Sequence, residues 1–214
     1  METNQLTEDQ LKDAFCEVRK AHRLIYEYQR RMKYLSIYIR NKLGFNAFEG
    51  YKRFSNALSN RDGNNADKSS WDWMYTYVFE YWLGYQNVDK NKRLGLSVIQ
   101  VSDTGCYVGG KRNYRIGKFP SVEESDSRLM FYLVVRPNTA KNMDWRADEI
   151  IEQYILKDEP QCFRPESRPE LVKVTYSVPL SRFTDETQTI KILREFVDFC
   201  NKKENAGTNL KIQE

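Results

Sequence analysis

Few side chains in this sequence are suited to catalysis. His22 is the one histidine available as a general base, and four cysteines, Cys16, Cys106, Cys162 and Cys200, lie far apart along the chain. Zinc sites and dense disulfide frameworks use closely spaced cysteine or histidine pairs, so neither is predicted. Motifs for phosphate loops, dinucleotide binding and zinc proteases are also missing from the sequence. The sequence therefore favours a protein with no cofactor, no metal and no enzymatic activity.

Asp103 keeps one enzymatic alternative open. It follows a predicted strand at 94–102, and the order helix, three strands, helix, strand is similar to that of the core of restriction-endonuclease-like nucleases. That resemblance would make Asp103 a metal ligand of a metal-dependent nuclease or of a degenerate relative. Such enzymes also need a carboxylate and a lysine that project together from the neighbouring strand. Residues 129–135 contain neither, and Glu170 and Lys173 would point to opposite faces of a later strand.

A basic cluster around Tyr114 indicates a second alternative, nucleic-acid binding. Residues 106–118 predict a hairpin that turns at Gly109 and Gly110. Its bases would contact phosphates while the tyrosine stacks on a base, and the basic half of the N-terminal helix would extend the surface. The competing interpretation is a solvated edge hairpin, partly neutralised by the acidic stretch 123–126. The candidate nucleic-acid residues are Lys111, Arg112, Tyr114, Arg115, Lys118, Arg30 and Arg31.

The element that would organise these groups is a long helix from Thr7 to Leu43. Thr7 and Gln10 form a capping box, Leu6 would pack on Leu11, and Gly44 can adopt the left-handed conformation that ends a helix. Apolar residues recur along it at intervals of seven, with a second series three residues later, as in the seam of a coiled coil. The first series is Leu11, Val18, Ile25, Met32 and Ile39, and the second is Ala14, Ala21, Tyr28 and Leu35.

Charge along this helix is divided into an acidic half, residues 2–17, and a basic half, residues 19–42. The division suits the helix macrodipole, and it also suits an antiparallel partner helix. We therefore expect the first seam series to form the partner interface of a homodimer or of a complex with another protein. The alternative is that the seam packs on the protein's own sheet. Because bulky apolar residues flank the basic half, that half is expected against the domain.

The remaining pattern predicts an α+β fold. The sheet is mostly antiparallel, has about four to five strands, and is packed with helices after the long coiled-coil-like helix. A short helix at 45–58 would complete a helical hairpin, giving residues 1–60 as one region and 61–214 as an α+β domain packed with it. Alternating aromatics at 71–81 predict a strand that is either buried or a stacking platform for bases. Further strands are predicted at 128–136 and 171–179, and further helices at 145–157 and 184–203.

Composition sets the class of protein. The 214 residues are 40% hydrophobic and 30% charged, with a net charge of +4, which is typical of a folded soluble protein and permits nucleic acid without requiring it. The longest apolar run, 129–135, is too short to span a membrane, and the amino terminus is polar and acidic. We expect a cytoplasmic, non-enzymatic interaction protein that does not bind membranes.

Overall fold

The computed structural model describes residues 7–54, 70–74, 76–139 and 146–214. The chain divides into two compact units, Met1–Ile37 and Tyr38–Glu214. The helix α1, Glu8–Lys42, contains nearly all described residues of the first unit and the opening residues of the second. None of the helices in the described part of the chain is long and apolar enough to cross a membrane.

Both ends of α1 are fixed as the sequence predicts. The Thr7 amide donates to Gln10 Oε1 at 2.8 Å, and the Gln10 amide donates to Thr7 Oγ1 at 3.3 Å, which completes the capping box. At the other end Gly44 has φ +72°, and the Phe45 amide donates to the Arg40 carbonyl at 3.0 Å. This is the glycine-dependent C-terminal cap that satisfies the last carbonyls of a helix. The predicted packing of Leu6 lies outside the described residues.

The second unit is built on one antiparallel sheet of six strands, rather than four to five. Numbered along the chain, the strands lie in the sheet in the order first, second, third, fourth, sixth and fifth, and every neighbouring pair is antiparallel. This is the α+β class that the sequence predicts. The strands are β1 Glu49–Lys52, β2 Val78–Asn87, β3 Lys92–Val101, β4 Arg128–Pro137, β5 Gln161–Phe163 and β6 Val172–Pro179; the helices that follow α1 are α2 Ala147–Tyr154 and α3 Glu186–Asn201.

Strand β4 is the centre of the core, as its uninterrupted apolar run predicts. Phe131 points to one face of the sheet, where its ring stacks on Phe196 of α3 with centroids 4.8 Å apart. Tyr132 points to the other face and belongs to the buried cluster that includes Ile151 of α2. All three aromatic rings are fully buried. The sheet is therefore covered on both faces, which is why β4 does not alternate between apolar and polar residues.

The predicted aromatic strand is wrong over its first half. Residues Ser70–Trp73 form a 3₁₀ turn, and β2 begins only at Val78. Trp71 departs from the strand because its indole N–H donates to the Tyr114 carbonyl at 2.7 Å, and its ring meets Phe54 edge-on at 4.9 Å. Trp71 and Tyr81 are both buried, so neither can serve as the exposed base-stacking platform that was the alternative interpretation.

The predicted helix after Gly44 is also wrong within the described residues. Residues 49–52 form β1, the edge strand that pairs with β2, with Gly50 opposite Tyr81. Gly50 has a tertiary role here, since a Cβ at this position would lie only 2.6 Å from the Phe79 ring. The helical spacing of aromatics at 45–54 therefore reflects side chains on an edge strand and its approach. Residues 55–58 of the predicted helix lie outside the described part of the chain.

The pH dependence of stability should report on Tyr38, which joins the end of α1 to α3. Its hydroxyl donates to Glu186 Oε1 at 2.7 Å. Removal from solvent, together with this hydrogen bond, raises the pKa of Tyr38 from 10.0 to about 12. A raised folded-state pKa stabilises the fold below the unfolded-state pKa, and that stability is lost as the pH rises from about 10 to about 12.

Chemical denaturation across this pH window tests the assignment. Tyr38→Phe should be less stable than wild type at neutral pH and should show a shallower loss of unfolding free energy above pH 10, the ordinary value of the tyrosine pKa. Tyr26→Phe is the matched control, because Tyr26 is 65% exposed on the same helix. A wild-type slope in Tyr38→Phe would contradict the role given to this hydrogen bond.

Candidate functional site

The seam of α1 is exposed in its first part and buried in its last part. Leu11, Val18 and Ile25 are 39%, 50% and 43% exposed, whereas Met32 and Ile39 are 2% and 0% exposed. Side chains of the same class at the same heptad positions thus fall into two groups. We call the first group, Leu11, Val18 and Ile25 with Ala14 and Ala21 between them, the exposed seam. It presents a continuous apolar stripe to solvent along more than two heptads.

Large side chains widen this stripe beyond the exposed seam. Phe15 and Leu24 are 58% and 71% exposed and flank the seam on either side. Tyr26 and Tyr34 are each 65% exposed on other faces of the helix, where they line a surface hollow of about 380 Å³. A heptad template that counts only two positions in seven misses Phe15. The spacing of Phe15 four residues after Leu11 was the signal that could have added it.

Several of the charges around the stripe are held in local ion pairs. Lys12 reaches Glu8 at 2.8 Å, and Arg30 reaches Glu27 at 2.7 Å, with more than half of each side chain exposed. Pairs at these spacings support the helix by only a few tenths of a kcal/mol each. Exposed charged residues need no partner molecule, whereas a stripe of exposed apolar side chains on α1 does call for an explanation. An apolar surface of this kind is typical of a protein interaction site.

The basic hairpin predicted at 106–118 is absent. Residues Thr104–Gly110 form a 3₁₀ turn, and Ile116–Lys118 form another. The side chain of Asp103 caps the first turn by accepting the Gly105 amide at 2.7 Å, which takes the chain out of the sheet after β3. Gly109 and Gly110 therefore end this 3₁₀ turn instead of joining two strands. Both have positive φ, which is what glycine permits at low cost.

Arg112 does not belong to a solvent-facing basic surface. Its guanidinium donates to the Arg53 carbonyl at 2.7 Å and to Asp148 of α2 at 2.9 Å, and only 12% of the side chain is exposed. Lys111, Arg115 and Lys118 are exposed, and Tyr114 is 36% exposed. Tyr114, Arg115 and Lys118 line an open hollow of about 510 Å³. Arg30 and Arg31, the other predicted phosphate contacts, lie on α1 in the first compact unit.

Both carboxylate oxygens of Asp103 accept hydrogen bonds from the protein itself. One of its oxygens caps the turn, and the other accepts the Tyr77 hydroxyl at 2.9 Å. Among the described residues there is no group of three His, Cys, Asp or Glu side chains arranged to hold a metal ion. Glu170 lies outside β6, whereas Lys173 is buried within it. The carboxylate and lysine pair that nuclease chemistry requires is thus not assembled by these residues.

Two of the four thiols, those of Cys106 and Cys200, are buried. Burial raises the pKa of Cys106 and of Cys200 well above the ordinary value for a thiol. The thiolate is the reactive form of cysteine, and burial in apolar surroundings disfavours it. His22 is exposed on α1. Cys106 and Cys200 are thus packed in the interior, and His22 is a surface residue.

Comparison with known proteins gives a family and nothing closer. No curated protein matches the chain, and no solved structure matches it. The PM0109 family model matches residues 8–205, which span α1, the complete sheet and α3. The match thus includes the exposed seam together with the domain that follows it. The chain belongs to the PM0109 family.

Proposed function

We propose that this protein is a non-enzymatic interaction protein that forms an antiparallel homodimer through the exposed seam of α1. The observation that carries the proposal is the difference in burial along one heptad series. Leu11, Val18 and Ile25 keep 39% to 50% of their surface in solvent, while the two seam residues that follow are buried. Removal of aliphatic side chains from water is the main favourable term in association. Burial of the exposed seam residues against a partner would therefore favour binding.

Charge supports a second copy of the chain as that partner. Within the exposed part of α1, the first turns carry Glu8, Asp9 and Asp13, while Arg30 and Arg31 lie at the far end. A parallel pairing would place acidic turns together and basic turns together, which costs free energy. An antiparallel pairing brings acidic turns level with basic ones. Because exposed ion pairs contribute little, charge would select the direction and the apolar seam would supply the affinity.

One antiparallel register includes all three exposed residues of the first seam series and leaves Met32 and Ile39 outside the interface. In it, a residue of the first seam series faces a residue of the second series, as antiparallel helix pairs require. On the flanks, Phe15 would lie beside His22 of the second copy, and Leu24 beside the aliphatic part of Glu17. The facing pairs are Leu11 with Tyr28, Ala14 with Ile25, and Val18 with Ala21.

The interface is short, so a moderate affinity is expected. Full burial of a Val, Leu or Ile side chain contributes roughly 1.5 to 3 kcal/mol, and these residues are already half-buried on the helix. Association costs about 4 kcal/mol or more in lost translational and rotational freedom. The balance of these terms predicts a dissociation constant in the micromolar range. Dimerisation would therefore respond to changes in protein concentration.

Disulfide trapping tests the register. In the proposed dimer, position 14 of one copy lies beside position 25 of the other, within reach of a disulfide. Equivalent positions of the two copies would be about 16 Å apart along the helix axis. In a background of Cys16→Ser and Cys162→Ser, the double variant Ala14→Cys/Ile25→Cys should form a covalent dimer on mild oxidation. Ala14→Cys alone and Ile25→Cys alone should remain monomers on non-reducing gels.

The single variants are also the control for direction. A parallel pairing would bring identical positions together, so each single variant would then crosslink efficiently with itself. That result would exclude the antiparallel register while leaving dimerisation intact. Absence of any crosslink in all three variants would contradict pairing through the exposed seam.

Nucleic-acid binding is the second candidate function, and the hollow beside Tyr114 is the observation that favours it. The partly exposed ring lies with Arg115 and Lys118, a combination that suits a stacked base with its phosphate. Fluorescence anisotropy with a single-stranded oligonucleotide, repeated over a range of salt concentrations, tests this candidate. Salt-sensitive binding that is lost in Tyr114→Ala/Arg115→Ala would support it, and absence of binding at low salt would exclude it.

A further inference from the structure

The side chain of Arg136, near the end of β4, is buried, and two of its nitrogens have no hydrogen-bond partner among the described residues. It is 3% exposed, and its Nε and Nη1 atoms donate to no group in the described part of the chain. Arg128, at the opposite end of the same strand, shows the usual arrangement. It is 6% exposed and donates to Ser177 Oγ at 2.9 Å and to Asp158 at 2.6 Å. Both arginines are thus buried, but only Arg128 has hydrogen-bond partners for its buried guanidinium nitrogens in the described part of the chain.

The surroundings of Arg136 are basic. Its direct neighbour across the β3–β4 pair is Arg93, so the register supplies a second cation where a carboxylate would balance the charge. Arg136 also lines a cavity of about 170 Å³ at this end of the sheet. Three more cations line the same cavity: Lys92, Arg164 and Lys203.

The single carboxylate in the lining is already engaged. Glu170 accepts a hydrogen bond from Arg168, and this bond lowers the pKa of Glu170 below its ordinary value. It makes no ion pair with Arg136. The cavity therefore combines four basic side chains with one acid that is committed elsewhere.

A guanidinium stays protonated at any accessible pH, so Arg136 cannot escape burial by losing its charge. Burying an unpaired charge is among the most costly arrangements in a protein interior. An anion in the cavity would remove this cost. We propose that the cavity at the end of β4 binds a small oxyanion, a phosphate group, with Arg136 as its buried ligand and with Lys92, Arg164 and Lys203 around it.

The size and chemistry of the cavity define the ligand class. Its volume lies below the range of roughly 300 to 1,000 Å³ that is typical for whole drug-sized ligands, which favours a single phosphate group. The planar fork of an arginine matches two oxygens of such a group. The carboxyl end of α3 lies next to the cavity-lining turn at Lys203, and its dipole disfavours an anion. An affinity no tighter than the micromolar range is therefore expected for inorganic phosphate.

Thermal unfolding and isothermal titration with inorganic phosphate, at constant ionic strength, test the proposal on the full chain. Wild type should bind phosphate saturably, and the unfolding midpoint should rise with phosphate concentration. Arg136→Met should bind roughly 10- to 100-fold more weakly, because it removes the charge-assisted hydrogen bonds. Without phosphate, Arg136→Met should be at least as stable as wild type, since a methionine has no charge to bury.

Arg194→Gln is the matched control, because it removes one positive charge from an exposed position on α3 and should leave phosphate binding unchanged. The comparison also corrects for the general stabilisation that excluded anions produce. If Arg136→Met fails to fold, Lys92→Gln/Lys203→Gln provides the test, and it should weaken binding at least about fivefold. Absence of saturable binding to wild type, or equal binding by wild type and these variants, would overturn the proposal.

Discussion

Replacing Val18 and Ile25 with aspartate should convert the proposed dimer to a monomer, raising its dissociation constant at least about 100-fold. Each dimer would lose four aliphatic side chains from the exposed seam and would gain four carboxylates in their place. Both residues are close to half exposed in the single chain, so the chain itself should tolerate the change. Sedimentation equilibrium over a range of protein concentrations measures the shift.

Two further variants separate association from other effects of these substitutions. Val122→Asp/Ile116→Asp makes the same chemical change at positions that are 79% and 72% exposed outside α1, and it should remain dimeric. Val18→Ala/Ile25→Ala preserves helix propensity and should weaken the dimer to a lesser degree. A wild-type dissociation constant for the aspartate variant, or equal weakening by the control, would show that the exposed seam does not form the interface.

The second large effect is expected at Arg53, which pairs with a buried carboxylate. Glu80 of β2 is 1% exposed, and its carboxylate accepts hydrogen bonds from the Ser97 hydroxyl and from the Arg53 guanidinium. Arg53→Met would remove the guanidinium that pairs with this buried carboxylate. Breaking a buried pair from one side costs about 3 to 5 kcal/mol, so the free energy of unfolding should fall by roughly 3 kcal/mol.

Urea denaturation measures this loss, and an exposed ion pair provides the comparison. Arg30→Met breaks the pair with Glu27, in which both side chains are more than half exposed, and should cost less than about 0.5 kcal/mol. The double variant Arg53→Met/Glu80→Met removes both charges and should recover most of the stability lost in the single variant. If Arg53→Met cost no more than Arg30→Met, the buried pair would not have the structural role assigned to it.

The parts of the fold that follow from local physics were predictable from the sequence. The capping box at Thr7 and the left-handed cap at Gly44 involve residues within a few positions of each other. β4 was recognisable because its apolar run is as long as one buried strand. The α+β class followed from the order of such elements. In each case the residues that decide the structure are neighbours in the sequence.

The errors occur where a distant residue decides the local conformation. Trp71 leaves the strand pattern because its indole donates to Tyr114, and residues after Asp103 leave the sheet because that side chain caps a turn. The environment of Arg136, in the cavity at the end of β4, likewise depends on residues that are distant in the sequence. The sequence pattern places Arg136 at the end of a strand, and only the pairing of β3 with β4 shows that it is buried opposite Arg93.

The sequence predicts that the basic half of α1 packs and that another part stays available, but it does not locate the residue at which the seam changes from exposed to buried. All five residues of the first series have the side chains that a coiled coil requires, and nothing in their types separates Ile25, which is exposed, from Met32, which is buried. Burial of a helix face depends on what else the chain places near it. The sequence could therefore propose an interface along α1, and the described burial reduces that interface to its first half.

The mass of the protein in solution, measured by light scattering from about 1 to 100 µM, tests the central proposal most directly. A homodimer predicts a mass that rises with concentration from 25.5 kDa toward twice that value. The Val18→Asp/Ile25→Asp variant should stay at the monomer mass throughout. A wild-type mass that remains at 25.5 kDa over the whole range would contradict self-association through the exposed seam.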